Sequence, residues 1–371
     1  MKYSPLRFFL IFITLLSGSG LICTAVAVYL NSSFGSVAAI TRFAYPFLLP
    51  ITFILLLTWL LKKSKWWWFC LLSIGLSFNQ LRVLIPIRWK TDFETVKSEK
   101  TIRILSWNIS RWDERNKVQR GGVSYRPLMM DFIESTGADI LCFQEFFECH
   151  DPLLFEANIP ELKKRGYPYF AFHPSSELFN GKLQYGLAIF SRFPITKSNY
   201  LENTKGEHSE GLLIADITVN DTTIRVFNTH LETPGISKSD YTEQGEMKFS
   251  KSVLSKLKNS YYLRNVQAER TIDEVKRSPF PVILAADLGD VPNSYAYFTL
   301  RSDLQDAFLK KGYGLGTTLR HTSPTLRIDF LFFDQSIRVL QFNNITQIRY
   351  SDHYPLLADF QLSLAKLQSL P

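Results

Sequence analysis

At 371 residues, with 46% hydrophobic and only 20% charged side chains, the chain is too long and too apolar for a disordered segment or a mini-protein. The formal charge of +8 sits at one end: residues 1–99 hold ten Lys and Arg against three Asp and Glu, leaving 32 against 31 in residues 100–371. A strongly basic nucleic-acid-binding domain is thereby excluded for the larger part.

Residues 1–92 read as a transmembrane module of about three helices. No charge falls between Arg7 and Arg42, and the apolar run near 8–31 has the roughly 20 residues that cross a bilayer core. A second run lies near 44–61. A third, near 66–87, is weaker: it is clean from Trp66 to Phe78, then meets Asn79, Gln80 and Arg82 before VLIPI. Trp66, Trp67 and Trp68 beside Lys62, Lys63 and Lys65 suit an interfacial aromatic anchor next to a basic loop. Ala25-Val26-Ala27 has the form of a signal-peptide cleavage site, but the run stays apolar past Ala27 and two more apolar segments follow.

Orientation follows from the short flanks. Lys2, Arg7, Lys62, Lys63 and Lys65 place the amino terminus and the second loop in the cytoplasm. Three crossings then put the large domain outside, as an integral membrane protein of the plasma (inner) membrane with an extracytoplasmic domain. If the third run only dips into the membrane, the domain is cytoplasmic. The four cysteines require no disulfide. A polar linker, residues 93–100, leads to a domain at 101–371.

That domain alternates strands and helices. Apolar, β-branched runs recur at 102–109, 139–144, 187–191, 212–219, 223–231, 281–288, 328–333, 337–342 and 355–362, and helical text lies at 126–136 and about 240–277. So many strands suit two packed sheets with helices outside, an α/β (α+β) class. Polar groups recur at the strand ends: Asn108, Gln144-Glu145, His230, Asp287, then Asp329 and Asp352-His353. Strand ends in layered α/β proteins converge on one rim, where such groups commonly form a site. Each alone has a plain structural explanation as a turn, cap or core residue; the set of six coincidences, with four carboxylates and two histidines among them, favours a site.

In order, the chain shows ILSWNIS (104–110), DILCFQE (139–145), YGLAIFSRFPI (185–195), FNTHLE (227–232), VILAADLGDVPNSYAY (282–297), RIDFLFF (327–333) and SDHYPLLADF (351–360). Over about residues 100–365 this resembles the endonuclease/exonuclease/phosphatase superfamily. The resemblance implies a four-layer sandwich of two mixed sheets flanked by helices, and metal-dependent hydrolysis of phosphate esters. It implies Glu145 as principal metal ligand with Asp352 close by, an oxygen-rich shell suited to Mg²⁺ or Mn²⁺. It further implies that Asn108 orients Asp287 and the phosphate, that Asp287 positions or deprotonates water, that Asp329 holds His353 against the phosphate, and that His230 donates to a phosphate oxygen. One departure stands out. The family's usual G-D-x-N reads Ala286-Asp287-Leu288-Gly289, so the Asn donor is missing. Ser110 likewise replaces an acidic ligand that some members carry.

The readings are a membrane-anchored phosphodiesterase or phosphatase, a membrane-tethered nuclease, or an impaired binding protein that lost turnover through Gly289. The near-neutral domain and its short tether favour a lipid headgroup, nucleotide or sugar phosphate over long nucleic acid. Membrane is the one further partner; no obligate protein partner is evident.

Overall fold

The computed structural model describes residues 4–30, 35–86, 89, 91–98, 100–202, 210–235, 250–320 and 326–362, without the side chains of 35–43. Two compact units emerge: one of Met1–Leu84, Pro234–Asn265 and Pro292–Phe298, the other of Ile85–Thr233, Val266–Val291 and Thr299–Pro371.

The first unit holds helices α1 (Pro5–Ala27), α2 (Gly35–Leu61), α3 (Trp67–Leu76) and α4 (Phe78–Leu84). α1 starts behind Ser4, whose hydroxyl accepts from the Arg7 N–H, with Pro5 in the first turn where its missing N–H is harmless. α1 and α3 approach closely at Gly18, where a Cβ would lie 2.5 Å from the Phe69 ring. Polar ties cross between helices: Trp59 Nε1 donates to Thr14 Oγ1 at 2.8 Å and Tyr45 Oη to the Ser77 carbonyl at 3.0 Å. Two helical stretches, Pro5–Ala27 and Ala44–Leu61, are long and apolar enough to cross a membrane. The third expected helix is not continuous. It breaks at Ser77, whose hydroxyl bonds back to the Ile74 carbonyl at 3.1 Å, just past the weak helix former Gly75.

The remaining elements in chain order are β1 (Ile102–Asn108), α5 (Arg126–Ser135), β2 (Ile140–Cys149), α6 (Asn158–Lys164), β3 (Tyr169–Leu178), β4 (Leu183–Ser191), β5 (Ile195–Leu201), β6 (Gly211–Val219), β7 (Thr222–His230), α7 (Lys251–Lys276), β8 (Val282–Asp287), α8 (Tyr295–Leu300), β9 (Gln305–Asp306), α9 (Ala307–Lys311), β10 (Asp329–Phe333), β11 (Ile337–Asn344) and β12 (Leu356–Leu362). They form two six-stranded sheets flanked by helices, with orders β11-β12-β1-β2-β4-β3 and β5-β6-β7-β8-β10-β9. Both are mixed: β1–β2 and β7–β8 are the parallel pairs and the other pairs run antiparallel. The edge strands β3 and β5 carry no clean apolar run, because half of an edge strand faces water and Pro174 is tolerated there. The start of the expected 240–277 helix falls outside the described residues; α7 is described from Lys251.

Alternation along the strands splits the core in two. Ile104, Ile140, Ile189, Leu213, Val226, Ile283 and Leu331 fill the layer between the sheets. Their neighbours Leu105, Leu141 and Phe190 point the other way, onto Met129, Met130 and Ile133 of α5. The buried Arg103 guanidinium is paired with Asp359 at 2.7 and 2.9 Å, which clamps β1 to β12 and meets the need of a buried charge for a partner.

Candidate active site

Strand register assembles the site. His230, Asp287 and Asp329 are direct neighbours across β7, β8 and β10, so their side chains leave the second sheet at one level. In the first sheet Asn108 pairs with Gln144, the residue before Glu145. Amide side chains bridge the two sheets. Asn108 Nδ2 donates to Asp287 Oδ2 at 2.9 Å, and Gln144 Nε2 donates to Asn228 Oδ1 at 2.6 Å, deep beneath the rim.

Asp287 is the hub. Its Oδ2 also lies 3.7 Å from His230 Nε2 and 3.6 Å from His353 Nδ1, while its Oδ1 accepts the Gly289 N–H at 2.9 Å. Burial alone would raise its pKa; the two imidazoles, the Asn108 amide and the Gly289 N–H overcome that and hold it below the ordinary aspartate value. The carboxylate is therefore held ionised, with both oxygens fixed by hydrogen bonds.

His353 Nδ1 sits 3.0 Å from both oxygens of Asp329, and the Trp107 indole donates to the His353 carbonyl at 2.9 Å. Burial opposes its charging, but Asp329 and Asp287 outweigh burial and push its pKa well above the usual histidine range. A protonated ring that gives Nδ1–H to Asp329 keeps Nε2–H as a donor. Burial raises the pKa of Asp329, with Asp287 adding to the rise. His230 behaves similarly: burial would lower its pKa, yet Asp287, Glu210 and Glu145 bring it up to about 9.

Glu145 stands in the left-handed region at φ 48°, inside a bulge of β2 between Phe143 and Phe146. The bulge turns the carboxylate out of the strand's alternation, and such strain concentrates at functional positions. Its backbone N–H is held by Glu210 Oε2 at 2.8 Å, and the same oxygen meets His230 Nδ1 at 3.1 Å. Burial raises the Glu145 pKa, and nearby Glu210 and Asp352 raise it further, against His230 and Arg111. Asp352 is exposed, with Oδ1 accepting from Ser351 Oγ at 3.2 Å.

Charge counting tests the fit of a cation. Glu145, Glu210, Asp287, Asp329 and Asp352 face two histidines and Arg111, which approaches Glu145 Oε2 to only 3.7 Å. The excess of hard oxygen donors suits a divalent cation such as Mg²⁺ or Mn²⁺. Ligand atoms of Asp287, Asp329 and His353 also lie within 4.8 Å of one another. In that trio His353 Nδ1 already lies 3.0 Å from both Asp329 oxygens. Glu145 and Asp352, close enough to influence each other electrostatically, are the other acidic groups that could hold a cation.

All seven residues singled out from the sequence lie around this rim. Two further ones emerge only from the fold. Glu210 enters just ahead of β6, where its sole signal is an acid preceding Gly211. Arg111 rides on a left-handed turn, Ser110 to Asp113, with φ between 47° and 58°. Its guanidinium stacks 4.6 Å over the Tyr185 ring, and its buried Nε has no hydrogen-bond partner.

Comparison with known proteins agrees with this fold. Residues 105–353 match the Endonuclease/Exonuclease/phosphatase family, and residues 7–84 are similar to a Domain of unknown function (DUF8431). No curated protein matches the sequence. Among solved structures, an endonuclease/exonuclease/phosphatase from Beutenbergia cavernae superposes with a TM-score of 0.52 at 19% identity, over 71% of this chain and 72% of that one. The human Nocturnin catalytic domain gives 0.52 at 18% identity, over 75% and 98%. A mannosyl-6-phosphatase from Bacteroides thetaiotaomicron gives 0.50 at 18% identity, over 70% and 99%. The chain belongs to the endonuclease/exonuclease/phosphatase family.

Proposed function

We propose that this member of the family is a membrane-anchored hydrolase that cleaves phosphate esters by water attack, with a divalent cation held by Glu145 and Asp352. The carrying observation is the convergence of Asn108, His230 and His353 on the ionised Asp287. A bound cation would neutralise the phosphate and help stabilise the leaving oxygen. Asp287 takes the proton of the attacking water. Asn108 fixes the carboxylate's rotamer so that the lone pair faces that water. Protonated His353, steadied by Asp329, and protonated His230, steadied by Glu210, donate to the non-bridging oxygens as charge develops there. Arg111 adds a cation beside Glu145 for the incoming phosphate.

A small ester or headgroup fits better than a long nucleic acid, since residues 100–371 are almost neutral. The mannosyl-6-phosphatase neighbour is named for a sugar phosphate, which agrees with this preference. α1 and α2 serve as the anchor. Extracytoplasmic placement at the plasma (inner) membrane further needs α3 and α4 to cross together despite the break at Ser77, the two helices between them approaching the roughly 20 residues that cross a bilayer core.

The test is a panel assay on the full chain with Mn²⁺ or Mg²⁺: a chromogenic phosphodiester, the matching monoester, a sugar phosphate, a phospholipid and single-stranded DNA. Turnover of a small ester that a chelator abolishes, and that Glu145→Ala lacks, supports the reading. Activity unchanged in Glu145→Ala sinks the site assignment, and turnover of DNA alone favours the nuclease.

A further inference from the structure

The N-terminal helices frame a cavity of about 410 Å³ where α1 begins and α2 ends. Arg7, Lys62 and Lys63 line it together with Ser4, Ser64 and Trp59. Its volume is in the range of small-ligand pockets. Trp59 is buried and its ring is fixed by the 2.8 Å bond to Thr14, so one wall is rigid and apolar. Lys63 is held in place by the turn that ends α2: at φ 47° it takes the left-handed position, and the Ser64 N–H reaches back to the Trp59 carbonyl at 3.0 Å.

Residues 1–91 contain no Asp or Glu, whereas residues 1–84 contain Lys2, Arg7, Arg42, Lys62, Lys63, Lys65 and Arg82. Three of these cations meet at one cavity, where mutual repulsion favours an anion between them. The N-terminus of α1 adds to that potential and the C-terminal carbonyls of α2 oppose it, so the side chains set the sign. Below the cavity, α1 exposes Phe8, Phe9 and Phe12, and α2 exposes Phe47, Ile51 and Ile54. An anion bound at the top would thus have apolar surface running away from it.

We propose that this cavity binds a phosphate anion, supplied as the headgroup of an anionic phospholipid whose acyl chains lie along α1 and α2. The site is separate from the catalytic rim and rests on α1 and α2 lying in a bilayer. Arg7, Lys62 and Lys63 neutralise the phosphate, and Ser4 and Ser64 lie within the same lining to receive the headgroup's polar end.

The experiment uses the full chain in neutral detergent, with lipid retention read by native mass spectrometry and melting temperature read alongside. Phosphatidylglycerol, phosphatidylcholine and inorganic phosphate are added separately to wild type, to Lys62→Gln/Lys63→Gln, and to Lys65→Gln, an exposed cation outside the cavity. Phosphatidylglycerol should bind wild type at least about tenfold more tightly than the double variant, given the contribution of two basic groups near an anionic headgroup. Lys65→Gln should behave as wild type. Stabilisation by inorganic phosphate equal to that by the lipid would keep the anion site but overturn the lipid as its source. Equal binding of the two lipids, or equal losses in both variants, would overturn the site. Alkaline carbonate extraction of the membrane fraction separates the two premises: release of the protein defeats the membrane reading, whereas retention without lipid selectivity defeats only the cavity.

Discussion

Asn108 on the first sheet and Asp287 on the second share a 2.9 Å hydrogen bond, which makes the orientation of this carboxylate a joint product of both sheets. Removing that donor leaves a buried carboxylate free to rotate and poorer in hydrogen bonds. Asn108→Ala should lower kcat about 10²–10³-fold, the size of one lost preorganised donor. KM should change little. Steady-state kinetics on the best ester of the panel, with circular dichroism to check the fold, decides this; a change confined to KM would place Asn108 in substrate binding instead.

His230 predicts a pH dependence of stability. Its pKa rises from 6.5 to about 9 on folding, so the folded state holds a proton that the unfolded state releases. The contribution is full below pH 6.5 and is lost as pH climbs through about 9. The upper bound is about 3 kcal/mol by the usual conversion. Urea unfolding in chelator at pH 6.5 and 9.5 should show a larger loss for wild type than for His230→Gln. Equal losses would mean that the ring is neutral in the folded protein.

Arg111 has an Nε that pairs only loosely with Glu145, at 3.7 Å and without a hydrogen bond, and a guanidinium stacked on Tyr185. Arg111→Ala should raise KM for a phosphate ester about tenfold or more while kcat falls less, as loss of a charge-assisted contact of about 1.5–3 kcal/mol implies. Arg111→Lys should restore only part of that, because Lys lacks the planar fork. Wild-type KM in both variants would remove Arg111 from the substrate path.

Gly289 tests whether the missing Asn matters. The backbone there lies at φ 55°, a region Asn tolerates better than other side chains, and the residue's N–H already serves Asp287. Gly289→Asn should raise turnover on a generic phosphodiester, by up to the 10²–10³ that one donor supplies. A fall would mean that this loop is shaped for a different substrate.

What was legible in the sequence follows from what burial does to polarity. Asn108, His230, Asp287 and Asp329 stood out because each closes or opens an apolar strand, where a polar group needs a reason. Glu210 and Arg111 had no such background: one sits just before a strand, the other on a left-handed turn that only three-dimensional packing explains. β3 and β5 escaped for the complementary reason, since edge strands are half solvated and lack the apolar run that marks a central strand. The weakness of the third apolar run is legible in Asn79, Gln80 and Arg82, whereas the break falls at Ser77, whose carbonyl accepts from Tyr45 across the helices.

The most direct test of the account is Mn²⁺ binding to chelator-washed protein, followed by calorimetry at pH 7.5 and pH 5 in wild type and Glu145→Gln, with ester hydrolysis measured on the same samples. Burial and the neighbouring Glu210 and Asp352 raise the Glu145 pKa, so protons compete with the ion. The account predicts one Mn²⁺ per chain in wild type, weaker binding at pH 5, and loss of both binding and hydrolysis in Glu145→Gln. Hydrolysis that persists in Glu145→Gln with Mn²⁺ affinity unchanged would contradict it.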